Sequence, residues 1–345
     1  MRPPSRGGGG VAEAATLIER LAAGVFDPPV AYADLADAHL DFARLVARSP
    51  ETELRDRAER PSGCCVVVGG SGSGKSSLIA AVAASLEPTR FPVRVQGVSD
   101  ERALTREGFA VHVGHETLRA LRAMASGRPS ERRLRPAGEG LAASTTRRRG
   151  GRSVGFGVPL PLELRAQLES SAREVVEERD ASAVAQAIEA LVAVSERFER
   201  RLLLVVEDTD VFMPPDPVGA DERERPRRFV DHVISYLARE FPSSSLVAVN
   251  SRYRDLLPSA TVGVVEVPAL APESVGRLIE HYARRAGVAA AAQTIAEPDA
   301  LAYAAGRYAE TGDVRRLLEL FHKATRKMVG EGRGGRVSVE VLHGL

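Results

Sequence analysis

Eight residues beginning at Gly69 read Gly-Gly-Ser-Gly-Ser-Gly-Lys-Ser, and no other stretch of the chain constrains the fold as tightly. Gly69, Gly70, Gly72 and Gly74 leave the backbone free to turn its N–H groups inward, with Ser71 and Ser73 as small polar spacers. Just before them, Cys64-Cys65-Val66-Val67-Val68 is an apolar, β-branched run with the length of a strand buried on both faces. Just after them, Ser77 to Leu86 is helix-forming, and Pro88 ends the run. Strand, glycine turn and helix in that order aim a ring of N–H donors and the positive end of a helix dipole at one point, which makes an anion site. The pattern predicts a phosphate loop in which Lys75 reaches the β- and γ-phosphates of ATP and Ser76 offers its hydroxyl to Mg²⁺, with residues 69–77 through Ser77 as the binding set. Lysine is rare in the chain: Lys75, Lys323 and Lys327 are the lysines among 47 basic residues. The eight-residue pattern would therefore arise by accident with a probability of roughly 0.003, which sets aside a chance Gly/Ser linker.

A chain of 345 residues has room for one large core or two modest ones. The net charge of +1 and a charged fraction of 27% suit an ordinary soluble protein and argue against uniform coating of nucleic acid. There is no run of 18 apolar residues and no charged-then-apolar leader, so the expectation is a cytoplasmic protein without membrane contact. Cys64 and Cys65 are adjacent and lack a C-x-x-C spacing, which makes them core filler.

Along the chain, a tail and two amphipathic segments (about 11–23 and 31–47) precede the loop, giving an N-terminal region at 1–50. A core at 51–268 alternates strands and helices: strands at 91–98, 202–206, 246–250 and 262–267, helices near 116–125, 161–200 and 227–241, and a Pro-rich acidic loop at 214–226. The predicted fold class is α/β, a parallel sheet flanked by helices, followed by an all-helical lid at 269–345. Residues 128–152 interrupt the core with eight arginines against Glu131 and Glu139, a net +6 amid Gly, Ser, Pro and Thr, and read as a mobile basic insertion.

Phosphoryl chemistry needs a carboxylate near the metal and a group to orient the attacking water. The apolar run Leu202-Leu203-Leu204-Val205-Val206 ends in Glu207-Asp208-Thr209-Asp210, as expected of a strand lying beside the loop. Glu207 is assigned to the Mg²⁺ side with Ser76, and Asp208 to polarising water. Adjacent strand residues face opposite ways, so the two acids do not share one role, and Asp210 returns to the face of Asp208. Asn250, at the C-terminal end of the next strand, offers an amide where ligands of open α/β sheets bind. Gly312-Asp313-Val314-Arg315-Arg316 opens a helix capped by Asp313 with arginines in its first turn, where cations oppose the dipole and so point to an anionic target.

These motifs together resemble the AAA+ ATPases, particularly those with the origin-recognition type of lid, over about residues 50–345. The resemblance implies that Asn250 is a first sensor of the γ-phosphate and Arg315 a second, and that 336–342 is the last lid segment. Three departures stand out: the acids run Glu-Asp where the family shows Asp-Glu, about 130 residues separate the two nucleotide motifs, and no clear trans-acting arginine follows Asn250. The run Val-Ala-Val-Asn-Ser-Arg-Tyr-Arg is similar to the STAND class of signalling ATPases, which use ATP as an assembly switch. Three functions are open at this point: an ATP-hydrolysing switch acting on a macromolecular partner with nucleotide-dependent self-assembly, an ATPase that grips nucleic acid through 128–152, and a nucleotide-bound scaffold that does not hydrolyse.

Overall fold

A computed structural model describes residues 17–26, 32–42, 49–95, 104–125, 134, 137–138, 141, 182–214, 217 and 219–345. Among the described residues, five strands form one parallel sheet: β1 (Gly63–Gly69), β2 (Arg90–Val95), β3 (Arg201–Val206), β4 (Ser244–Asn250) and β5 (Gly263–Glu266). The spatial order is β2-β3-β4-β1-β5. This corrects one expectation, since the acid-ended β3 is not the neighbour of the loop-bearing β1. Instead β4 pairs with both, its Asn250 in register with Gly69 and its Val247 with Val206.

Because side chains alternate along a strand, the sheet divides its apolar residues between two cores. Cys65, Val67, Leu203, Val205, Leu246, Ala248 and Val265 face one layer. It contains α3 (Lys75–Leu86), the N-terminal segments including α1 (Tyr32–Ala38), α2 (Pro50–Ala58), and the C-terminal helices α8 (Val275–Arg285), α9 (Pro298–Thr311) and α10 (Val314–Gly330). Cys64, Val66, Val68, Leu202, Leu204, Val206, Val247 and Val249 face the other layer, with α4 (Arg106–Ala125), α5 (182–196) and the helical run from α6 (Ala220–Arg228) to α7 (Ser235–Arg239). The two cysteines are thus filler on opposite faces, and burial pushes both thiols up to about 12.

Several expected boundaries shift for physical reasons. The segment read as one helix over 31–47 stops being helical at Ala38, where His39 and the Phe42 N–H both turn to the Glu51 carboxylate. The acidic Pro-rich loop is partly helix: α6 runs through Pro226 and continues into a π turn at Phe229–Ile234. Most of 128–152, and the part of the 161–200 helix before 182, lie outside the described residues. Of the basic insertion, Leu134, Ala137, Gly138 and Leu141 are described, and the three apolar ones are buried in a satellite core with Leu118, Leu121, Ala187, Leu191 and Val194. Their spacing of three and four is that of one helix face, so this part is anchored in packing rather than free.

Candidate functional site

The loop ends where α3 begins. Gly74 takes a left-handed backbone at φ +96° and Gly72 another at φ +66°, conformations that a Cβ strains. The α3 helix starts at Lys75, whose ammonium folds back over the loop, donating to the carbonyls of Gly69 at 3.0 Å and Gly70 at 2.7 Å. Burial lowers the pKa of Lys75, while the charges of Asp210 and Asp313 act the other way. Ser77 donates to the Gly74 carbonyl, tightening the first turn. The Ser73 hydroxyl is buried without a hydrogen-bond partner.

At the end of β3 the alternation of the strand breaks. Asp208 adopts a left-handed backbone at φ +54°, so Glu207 and Asp208 are not simply directed to opposite faces. The Glu207 side chain is fully buried, with Oε2 accepting from Arg94 Nε at 2.9 Å and Oε1 lacking any partner. Burial pushes its pKa up to about 7, opposed by the nearby Arg94 charge and by the Ser76 hydroxyl. Asp208 is 72% exposed and lies 3.5 Å from Nη2 of the same arginine. Thr209 pins the turn, its buried hydroxyl donating to the Ala248 carbonyl on β4 at 2.6 Å. Thr209→Val is expected to leave that carbonyl unsatisfied and to lower the unfolding free energy by about 1–3 kcal/mol, measurable by urea titration.

Asn250 is beside Gly69, as the sheet register requires, and its Oδ1 accepts the Arg252 N–H, capping the turn Ser251–Leu256. Asp313 caps α10 by accepting the Arg316 N–H at 3.1 Å. Its carboxylate also lies flat on Gly72: a Cβ there would stand 1.8 Å from Oδ1. The neighbouring Val314 N–H donates to the Gly72 carbonyl at 3.0 Å, joining the C-terminal helices to the loop. Arg315 follows on the exposed side of α10 and makes no hydrogen bond or ion pair among the described residues.

The structure therefore brings together the loop, Ser76, Glu207 and Asn250, leaves the exposed Asp210 near enough for its charge to act on Lys75, and places Asp208 and Arg315 toward solvent. Three contributors escaped the sequence reading. Arg94 left only the signal of one arginine in an apolar strand. Thr209 stood unremarked between two acids. His39 lies 3.5 Å from the Ser77 hydroxyl, and the Phe42 ring is near Gly74.

The donor set fits a magnesium ion brought by phosphates: one hydroxyl and one carboxylate with a buried, unpartnered oxygen suffice, because Mg²⁺ keeps much of its water and phosphate shell. Among the described residues there is no cluster of three or more His, Cys, Asp or Glu side chains suited to a metal held by protein alone. Nor, among them, is any helix long and apolar enough to cross a membrane.

Among solved structures, the Aeropyrum pernix ORC1 protein in complex with DNA is similar at 18% identity, over 93% of this chain and 67% of that one, with a TM-score of 0.45. CDC6P from Pyrobaculum aerophilum is similar at 13% identity, over 90% and 66% of the two chains, with a TM-score of 0.46. Drosophila ORC bound to DNA is similar at 12% identity, over 100% and 68%, with a TM-score of 0.42. No curated protein matches the chain. The sequence pattern of the AAA ATPase domain matches residues 44–227. Because that match takes in the loop, the acid-ended strand and everything between them, more than half of the chain, the protein belongs to the AAA ATPase domain family.

Proposed function

We propose that the chain is a Mg²⁺-dependent, ATP-hydrolysing switch in which nucleotide at 69–77 sets how the C-terminal helices, acting as a lid over 269–345, engage the core at 51–268. The observation that carries this reading is the join at Gly72, where the loop that would hold phosphates also holds the start of α10. A loop that reshapes around an anion shifts the equilibrium of whatever rests on it, by as much as the ligand prefers one arrangement over the other.

In this reading Lys75 exchanges the Gly69 and Gly70 carbonyls for phosphate oxygens, gaining charge-assisted bonds. Ser76 and Glu207 would hold Mg²⁺, which when bound supplies charge neutralisation to the phosphate oxygens. Asp208, with Asp210 as the acid nearer Lys75 in electrostatic terms, orients water. Asn250 reads the γ-phosphate from beside Gly69, and Arg315 needs a shift of α10 to do so. Steady-state phosphate release tests the reaction: turnover with Mg²⁺ that disappears in EDTA supports it. Nucleotide binding without release would leave the non-hydrolysing scaffold instead.

The eight arginines of 128–152 favour a second reading, in which the ATPase acts on nucleic acid. Since Leu134, Ala137 and Leu141 are buried, deleting the segment would expose a core, and neutralising Arg147, Arg148, Arg149 and Arg152 to Gln is the cleaner test. Binding to DNA at low salt is expected to weaken and its salt dependence to flatten in that variant. No binding by the wild type at low salt rejects this reading.

A further inference from the structure

One guanidinium joins both acids of the site. Arg94 lies on β2, the edge strand, in register with Val205 of β3, and its fork reaches past the end of β3 to Glu207 through Nε and to Asp208 through Nη2. Consecutive residues of a regular strand could not both be reached from one side. The reach exists because β3 ends at Val206 and Asp208 takes a left-handed backbone, so the break in the strand and the arginine belong to one arrangement. The contact is also selective within Glu207: Oε2 is engaged, whereas Oε1 is buried without a hydrogen bond, and the Ser76 hydroxyl is near enough to act on the carboxyl group. A carboxylate turns easily about its last torsion, and a planar fork that also grips a neighbouring carboxylate removes that freedom.

We propose that Arg94 is a positioning residue for the metal-side acid, holding Oε2 of Glu207 and the Asp208 carboxylate together so that Oε1 is presented to Mg²⁺ arriving with nucleotide at Ser76. This rests on the Mg²⁺–nucleotide reading above. Carboxylates that hold metals are commonly oriented by a hydrogen-bond partner of their own, and losing that partner weakens the metal roughly 10- to 100-fold. Arg94 lies on an edge strand, is 23% exposed and is not part of the apolar core on either face of the sheet.

The test uses the full chain and a fluorescent ADP analogue, titrated first in EDTA and then with rising Mg²⁺, for wild type, Arg94→Met and Arg94→Lys. Affinity in EDTA is expected to stay within about two-fold in both variants, because phosphates are held by the loop rather than by the acids. The Mg²⁺ concentration giving half of the metal-dependent gain is expected to rise roughly 10- to 100-fold in Arg94→Met. In Arg94→Lys, which keeps charge but loses the fork, the rise is several-fold. Half-saturation by Mg²⁺ within two-fold of wild type in Arg94→Met overturns the proposal, as does an equal loss in EDTA and in Mg²⁺, which would mark a structural role. Should Arg94→Met not fold, an unchanged Mg²⁺ midpoint in Arg94→Lys overturns it. A wild type whose binding ignores Mg²⁺ overturns the parent reading of the site, and this proposal with it.

Discussion

Lys75→Ala is expected to lower ATP affinity by about 100-fold or more while leaving the fold in place. A hydrogen bond to a charged group contributes about 1.5–3 kcal/mol, so two phosphate contacts from one ammonium amount to roughly 3–6 kcal/mol, or about 10²–10⁴ in affinity. Part of that gain is offset, because in the described conformation Lys75 already bonds the carbonyls of Gly69 and Gly70 and must give them up. The lower end of the range is therefore the expectation. No apolar core depends on this side chain, which is half-buried at the head of α3, so the unfolding midpoint should move by only a few degrees. Equilibrium titration with a fluorescent ATP analogue, alongside thermal unfolding, separates the two effects.

Gly72→Ala acts on the join instead of the ligand. The left-handed backbone at φ +66° costs an alanine about 1–2 kcal/mol. Its Cβ would also overlap the Asp313 carboxylate, which stands 1.8 Å from that point, so Asp313 must withdraw. Withdrawal removes the α10 cap on the Arg316 N–H, worth about 1 kcal/mol, and carries Val314 away from the Gly72 carbonyl. The lost cap and the lost Val314 bond, about 1 kcal/mol each, come to about 2 kcal/mol, or roughly a 30-fold shift toward an undocked α10, while the alanine's backbone strain stays with the loop. Amide exchange at 312–317 should accelerate accordingly, with the strands unchanged. Exchange at 312–317 equal to that of wild type would show that the contact does not hold the helix.

How much of this the sequence revealed depends on how far apart the contributing residues are. The strand, loop and helix at 63–86 were legible because their signals are contiguous: an apolar run, four glycines and a helix-forming stretch, each setting the bounds of the next. Glu207 and Asn250 were legible for the same reason, as polar residues ending apolar strands. The sheet order was not, since nothing local tells β3 that β4 will lie between it and β1. Arg94 was hidden because its partner Glu207 is 113 positions away, and Asp313 was legible as a cap but not as the residue that rests on Gly72. Local rules also misled where tertiary contacts overrode them. The helical pattern over 31–47 gives way at His39 to bonds with Glu51 and Ser77, and the Pro-rich composition of 214–226 concealed the start of α6. The break in alternation at Asp208 is a backbone choice that Asp tolerates, and it places the second acid toward Arg94 and solvent, where strand periodicity alone would not put it.

Hydrogen exchange of the full chain with and without a non-hydrolysable ATP analogue and Mg²⁺ tests the central claim most directly. Amides at 69–77 and at 312–318 are expected to gain protection together, over one range of analogue concentration, and both gains to vanish in Lys75→Ala. Protection of 69–77 with no change at 312–318 would show that nucleotide binds without moving the C-terminal helices, and would contradict the switch.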